Sequence, residues 1–129
     1  WDSKKRTNVI FIDSTAQKGL IHSFLDGIDV YAHSRLDGEV CSTALVEAMA
    51  HGKVIVSCPG YNNGHQDQIG DAGFFCTSLE DYVSALRSLQ EDKEMYERLS
   101  LKTVARYNKL YSYSYIQEQV ASILSSLQS

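Results

Sequence analysis

Short apolar runs alternate with helix-forming segments along the chain, and this alternation limits the possible folds more than any other feature. The apolar runs cover residues 8–12, 29–32, 54–56 and 73–76. Runs of this kind, without a two-residue alternation, are typical of strands buried on both faces of a parallel sheet. Parallel neighbours need helical crossovers between them. The pattern therefore predicts an α/β fold, a partial Rossmann-like three-layer α/β/α domain with a short parallel sheet and C-terminal helices.

Stop and capping signals predict where the helices lie. One helix is predicted over 16–25, and a second over 43–50 with Gly52 just beyond its end. A polar, glycine-rich loop is predicted over 59–70. The capping box Ser78-Leu-Glu-Asp81 opens the first of three consecutive C-terminal helices. The last of these carries an apolar stripe of Ile116, Val120, Ile123, Leu124 and Leu127.

The composition fits one globular domain. The chain has 129 residues, 43% hydrophobic and 22% charged, with a net charge of −4, which predicts a single core and no nucleic-acid partner. No apolar run reaches the ~20 residues of a membrane span. Cys41, Cys58 and Cys76 are expected to be small buried hydrophobes in a reducing compartment, so a cytoplasmic location is expected. Because the chain starts with Trp1, we expect residues 1–129 to form a single, truncated domain of a longer parent.

Two glutamates mark a candidate ligand site. In open parallel sheets, ligands bind beyond the carboxyl ends of the strands, which predicts a site among the loops after Ile12, His33 and Cys58. Glu39 precedes the second predicted helix, and Glu47 lies just over one turn inside it. The N-terminus of that helix favours a phosphate, and a carboxylate one turn further in can accept hydrogen bonds from a ribose diol. On spacing alone, a surface loop carboxylate and an exposed helix residue remain the alternatives.

The histidines show no metal-ligand spacing, and no metal site is predicted. His33 ends a predicted strand at the ligand edge, and His65 lies in the polar loop. Contact with a ligand and a purely structural role both remain open for these two residues. His22 and His51 are expected on helix surfaces.

The stretch Asp37-Gly-Glu-Val-Cys-Ser-Thr-Ala-Leu-Val-Glu-Ala-Met-Ala-His-Gly-Lys-Val-Ile-Val-Ser57 resembles a family signature. That signature, of the retaining group 1 glycosyltransferases of the GT-B type, is Glu, seven residues, Glu, then Ala-Met-Ala-x-Gly-x-Pro-Val-Ile. Three other segments are similar to that family, namely Gly27-Ile-Asp-Val-Tyr-Ala-His-Ser34, Gly64-His-Gln-Asp-Gln-Ile-Gly-Asp-Ala-Gly73 and Lys109-Leu-Tyr-Ser-Tyr-Ser-Tyr115. The resemblance covers nearly the whole chain from Asn8.

The resemblance implies the donor-binding domain of an enzyme that transfers a hexose or deoxyhexose from a nucleoside diphosphate to a glycan, lipid or protein, with retention and without a cofactor or metal. By position, Glu39 is implied to be the catalytic carboxylate at the donor sugar, and Glu47 to bind the ribose. Backbone N–H groups of Cys41, Ser42 and Thr43 are implied to face the pyrophosphate and sugar. The implied partners are the nucleotide-sugar donor and an N-terminal acceptor domain of the same parent, with peripheral membrane association of the parent left open. The chain alone is expected to be inactive.

Other functions compete with this interpretation. Val40-Cys41-Ser42 stands where the family usually has Gly-Phe-Gly, which favours a non-catalytic nucleotide-sugar-binding or protein-interaction domain with a degenerate site. A phosphatase of the haloacid-dehalogenase type needs a second aspartate two residues after Asp13, where Thr15 stands. A receiver domain needs an aspartate after its third strand, where Ser57-Cys58 stand. Asp13 is therefore expected to cap a turn or helix.

Overall fold

The computed structural model describes residues 8–10, 12, 18–35, 37 and 39–128, which form an α/β fold around a three-stranded sheet. Its elements in chain order are α1 (Lys18–Gly27), β1 (Val30–His33), α2 (Thr43–Ala50), β2 (Val54–Ser57), a 3-10 helix (Tyr61–Asn63), α3 (Gly64–Ile69), β3 (Gly73–Phe75), α4 (Leu79–Glu91), α5 (Lys93–Leu110) and α6 (Tyr113–Leu127). The sheet order is β1-β2-β3, and both pairs are parallel. The predicted fold class and the strands after the first predicted one are thus confirmed.

The central strand is apolar along its length because it is covered on both faces. All four residues of β2 are buried. On one face, Ile55 packs in a core with Leu45 and Met49 of α2. On the other face, Val54 and Val56 pack with buried residues of α4 and α5, namely Ala85, Leu89 and Leu99. Helices therefore cover both faces of the sheet, which gives the predicted three layers.

Two predicted helix boundaries have the expected caps. In the capping box, the Ser78 hydroxyl accepts the Asp81 N–H at 3.1 Å, and the Asp81 carboxylate accepts the Ser78 N–H at 3.0 Å. Hydrogen bonds from Thr77 and Ser78 hold the pKa of Asp81 below its ordinary value. Beyond α2, Gly52 adopts φ +67°, the left-handed conformation that terminates helices and favours glycine.

The first predicted strand is wrong within its described residues. Residues 8–10 and 12 carry no strand pairing, and Ile10 and Ile12 are 84% and 69% exposed. A strand needs a hydrogen-bonded neighbour, and in the described part of the chain β1 pairs with β2 alone. The predicted helix start at residues 16 and 17, the loop after Ile12 and the predicted cap at Asp13 lie outside the described residues.

The predicted loop over 59–70 is also wrong, because this segment forms the 3-10 helix and α3. Gly60, Asn62 and Asn63 have positive φ and turn the chain sharply into α3. The turn buries polar side chains of α3, so packing overrides the polar composition. Among the cysteines, Cys58 and Cys76 are buried as predicted, but Cys41 is exposed, since it precedes α2 on the outside of the core.

The apolar stripe of α6 is present but unburied. Its five residues are between 46% and 77% exposed, and α6 has no buried residue. Tyr107 and Tyr111, by contrast, pack against the core on the α2 side of the sheet. Among the described residues, no helix combines the length and apolar character needed to cross a membrane.

Candidate functional site

The carboxyl ends of β1 and β2 meet at one edge of the sheet, where the candidate residues gather. His33 ends β1 and Ser57 ends β2, and the two are paired in register. The carbonyl of His33 accepts hydrogen bonds from the Tyr82 hydroxyl at 2.9 Å and from the Cys58 N–H at 3.2 Å. Burial raises the pKa of Tyr82 to about 12, so its hydroxyl stays a donor at neutral pH. These two hydrogen bonds therefore fix the carboxyl end of β1.

Glu39 lies at this edge and is surrounded by donors. Its Oε2 is 2.8 Å from His33 Nε2 and 3.1 Å from His65 Nε2, and its Oε1 is 3.2 Å from Arg35 Nη1. The hydrogen bond from His33 is the largest cause that lowers the pKa of Glu39, against the opposing effect of burial, with His65 adding to it. Glu39 is therefore an ionised carboxylate at neutral pH, with both imidazoles donating to the same oxygen.

His65 is fully buried, and a second layer of groups contacts it. Its Nδ1 lies 3.3 Å from Ser57 Oγ and 3.7 Å from Cys58 Sγ. A side chain at Gly60 would overlap the His65 ring, since its Cβ would lie 2.7 Å from Cγ. Because residue 60 is glycine, the backbone packs directly against the imidazole ring and restricts its position.

The loop that carries Glu39 is joined to the start of α3. The Glu39 carbonyl accepts the Tyr61 N–H at 3.2 Å. Gly64 lies so close to the Val40 backbone that an added Cβ would overlap the Val40 carbonyl. Only glycine allows this approach, so Gly64 at the start of α3 helps to position the loop that carries Glu39.

Gln68 of α3 also grips the residue that precedes α2. Ser42 donates its N–H to Gln68 Oε1 at 3.0 Å, and Gln68 Nε2 donates to the Ser42 carbonyl at 2.7 Å. Both residues are buried, and the Ser42 side chain makes no capping hydrogen bond. The Ser42 N–H, predicted as a donor to a phosphate, is thus engaged within the protein. Cys41 and Thr43, on either side, are exposed.

Glu47 lies on the exposed side of α2, and its charge, like that of Glu39, acts on Tyr31 of β1. Burial is the largest cause that raises the pKa of Tyr31, and the negative charges of Glu47 and Glu39 raise it further. Both carboxylates therefore lie near the same phenol. The rings of Tyr31 and His33 are stacked, with centroids 6.1 Å apart, because residues two apart on β1 share a face.

The predicted site residues thus divide into two groups. Glu39, His33 and His65 come into direct contact, whereas Cys41, Thr43 and Glu47 are exposed and Ser42 is buried against Gln68. Arg35 is 56% exposed and pairs with Asp37 and Glu39.

Sequence reasoning missed Gln68, whose link to Ser42 spans 26 residues. It also missed the grouping of His33, Glu39 and His65, which no short spacing signals. His22 is exposed on α1 as expected, whereas His51 follows α2, is only 17% exposed and contacts Asp26 at 2.7 Å and His22 at 3.0 Å.

Comparison with known proteins identifies the family of the chain. The family model for glycosyl transferases group 1 matches residues 2–105, which is 104 of the 129 residues. The match includes β1, the loop with Glu39, α2 and α3. No curated protein and no solved structure matches the chain. Because the family model covers most of its length, the chain belongs to the group 1 glycosyltransferases.

Proposed function

We propose that this chain is the donor-binding domain of a glycosyltransferase and binds a nucleoside-diphosphate sugar at the carboxyl edge of its sheet. The parent enzyme then transfers a hexose or deoxyhexose to a glycan, lipid or protein acceptor with retention of configuration. The observation that carries the proposal is the ionised carboxylate of Glu39, held between two histidines at the sheet edge and next to the N-terminus of α2.

Glu39 suits contact with the sugar. A carboxylate is an acceptor only, so it pairs with the hydroxyl donors of a hexose. Its side chain is 16% exposed, enough to reach a ligand from a restrained position. Because His33 and His65 hold one oxygen, the carboxylate loses little conformational freedom when a sugar binds. We assign Glu39 as the catalytic carboxylate at the donor sugar.

The start of α2 suits the diphosphate. The first N–H groups of a helix point outward and carry a partial positive charge. Cys41 and Thr43 are exposed on either side of the N-cap and would contribute backbone N–H groups. The Ser42 N–H donates to Gln68, so the diphosphate would contact its neighbours instead. Positive potential at this position would stabilise the diphosphate as it departs, which assists sugar transfer.

Glu47 suits the ribose. It lies one turn further along α2, exposed, where a carboxylate can accept both hydroxyls of a diol. The charges of both glutamates act on Tyr31 of β1. A donor that spans Glu39, the helix start and Glu47 would thus lie along the edge of the sheet.

A second candidate is a non-catalytic domain that binds a nucleotide sugar or another protein without turnover. One observation favours it: the N-cap amide is engaged by Gln68, which leaves one donor fewer for a diphosphate. The two candidates differ in whether binding at this edge is followed by cleavage of the donor.

Calorimetric titration with UDP-, GDP- and ADP-sugars tests the proposal. Glu39→Gln and Glu47→Gln should each weaken binding of one donor about tenfold or more, since each loses a charged hydrogen bond worth about 1.5–3 kcal/mol. Glu91→Gln is the matched control, because Glu91 is an exposed glutamate away from the proposed site. Its neighbour Gln90 lies near Asp29, which precedes β1 at the amino-terminal edge of the sheet. Equal binding by all variants would refute the assignment.

Turnover separates the two candidates. The parent protein, which includes the acceptor-binding part, should release nucleoside diphosphate from the donor that binds, and Glu39→Gln should abolish the release. Donor binding without release in the parent would favour the non-catalytic domain.

A further inference from the structure

His33, Glu39 and His65 form a compact set of metal-ligating atoms. One atom from each side chain, the two imidazole nitrogens and a carboxylate oxygen, lies within 4.8 Å of the others. The side chains come from β1, the loop after it and α3, so the fold brings together residues that are far apart in sequence. Two histidines and one carboxylate are a donor set that binds Zn²⁺ with a further position left open.

The distances are close to those of a filled site. Ligand atoms at 2.0–2.1 Å from a tetrahedral zinc lie about 3.3 Å from one another. Glu39 Oε2 is 2.8 Å from His33 Nε2 and 3.1 Å from His65 Nε2. For an ion to bind, each oxygen–nitrogen distance would lengthen by only a few tenths of an ångström, and the two nitrogens already lie within 4.8 Å of each other. Both rings already direct Nε2 to the same oxygen of Glu39, and their centroids are 5.0 Å apart.

The histidine protons can move from one ring nitrogen to the other. Both Nε2 atoms contact Glu39 Oε2, so in each neutral imidazole the proton would move from Nε2 to Nδ1 before Nε2 can bind an ion. His65 would then carry its proton on Nδ1 and donate it to Ser57 Oγ, which lies 3.3 Å away. A hydrogen bond from the second ring nitrogen to a protein oxygen is the usual support of a ligating histidine.

The charges and the access route also suit a cation. Glu39 supplies one negative charge, and neutral imidazoles add no repulsion. Arg35 contacts the other oxygen of Glu39, but Asp37 compensates its charge through a 2.7 Å contact. The side chains of His33 and Glu39 are 14% and 16% exposed, so an ion can enter from solvent while His65 closes the buried side.

We propose that His33, Glu39 and His65 bind one divalent transition-metal ion, Zn²⁺ in the first instance, with Ser57 supporting His65. The ion would bind the same Glu39 carboxylate that the proposed function assigns to the donor sugar, so that metal and sugar compete for it. The ion site does not depend on donor binding, because it is measured on the chain without nucleotide.

Titration of the metal-free chain with Co²⁺, and with Zn²⁺ against a chromophoric chelator, tests the site. The expected result is one ion per chain with micromolar or tighter affinity and the visible absorption of low-coordinate Co²⁺. His33→Ala, His65→Gln and Glu39→Gln should each weaken binding by more than about 100-fold, and Ser57→Ala by about tenfold. Circular dichroism checks that each variant is folded, and His33→Ala, at the more exposed position, is the primary variant.

The matched control is the double variant His22→Ala/His51→Ala, which removes the other two histidines and should leave binding unchanged. Those two rings also touch, at 3.0 Å, so they are the competing site. No binding by the wild-type chain would overturn the proposal, as would binding lost in the double variant but kept in His33→Ala.

Discussion

Replacing Gln68 by methionine removes the amide that joins α3 to the residue before α2. Methionine keeps the length and the apolar contacts of the side chain. It makes neither of the two hydrogen bonds that the Gln68 amide makes to Ser42. The Ser42 carbonyl also accepts the Val46 N–H at 3.3 Å, so it keeps one partner. The Ser42 N–H is buried and loses its acceptor, Gln68 Oε1.

The expected loss of stability follows from these two changes. A buried N–H without a partner costs about 1–3 kcal/mol, and the lost bond to the carbonyl costs about 0.5–1.5 kcal/mol. Burial of the thioether offsets part of this sum. We therefore expect the free energy of unfolding to fall by about 2–3 kcal/mol. With a urea m-value of about 1–3 kcal/mol/M, the midpoint should fall by about 1 M.

Urea unfolding followed by far-UV circular dichroism measures this difference. Gln66→Met is the matched control, because Gln66 lies on the same helix but is exposed. Its unfolding free energy should stay within about 0.5 kcal/mol of the wild-type value. If Gln68→Met behaves like Gln66→Met, the link between α3 and the start of α2 contributes no stability, and the reasoning is refuted.

Two further predictions concern the loop contact and a helix cap. Gly64→Ala should destabilise the protein by about 2 kcal/mol or more, because the added Cβ would overlap the Val40 carbonyl. Gly19→Ala, which has open space around it in α1, should be neutral or stabilise by up to about 1 kcal/mol. Thermal unfolding compares the two variants, and equal melting temperatures would contradict the contact between Gly64 and Val40. Asp81 has a pKa below its ordinary 3.8, with the hydrogen bonds from Thr77 as the largest cause, so its carboxylate stabilises the fold above that ordinary value and loses this contribution as the pH falls through the lowered pKa. The stability difference between wild type and Asp81→Asn should therefore be constant near neutral pH and shrink below about pH 4; a difference that does not change with acidification would contradict it.

Much of the fold is predictable from local signals because those signals coincide with packing. The apolar run at β2 matches a strand with every residue buried, and the Ser78–Asp81 capping box forms as predicted. Gly52 takes the positive φ expected of a helix stop. In each case, the local preference and the tertiary environment favour the same structure.

The errors arise where contacts from distant segments decide. The segment 59–70 looks like a loop by composition, yet burial of His65 and Gln68 makes part of it a helix. The apolar residues of 8–12 predict a strand, but pairing depends on a neighbour that the run itself cannot specify.

The site shows the same division. The positions of Glu39 before α2 and of Glu47 within it agree with the sequence pattern, and their roles toward a ligand stay predictions. The histidine contacts of Glu39 span 6 and 26 residues, and no periodic pattern in the sequence reports them. The engaged amide of Ser42 is likewise visible only once α3 is in place.

The most direct test of donor binding at this edge is an NMR titration of amide shifts with UDP, GDP, ADP and their sugar conjugates, on wild type and on Glu47→Gln. We predict that one nucleotide sugar shifts the amides over 39–47, including Cys41 and Thr43, and that the shifts are strongly reduced in Glu47→Gln. Shifts that lie elsewhere, shifts that persist in the variant, or none at millimolar ligand in either the chain or its parent would contradict the account.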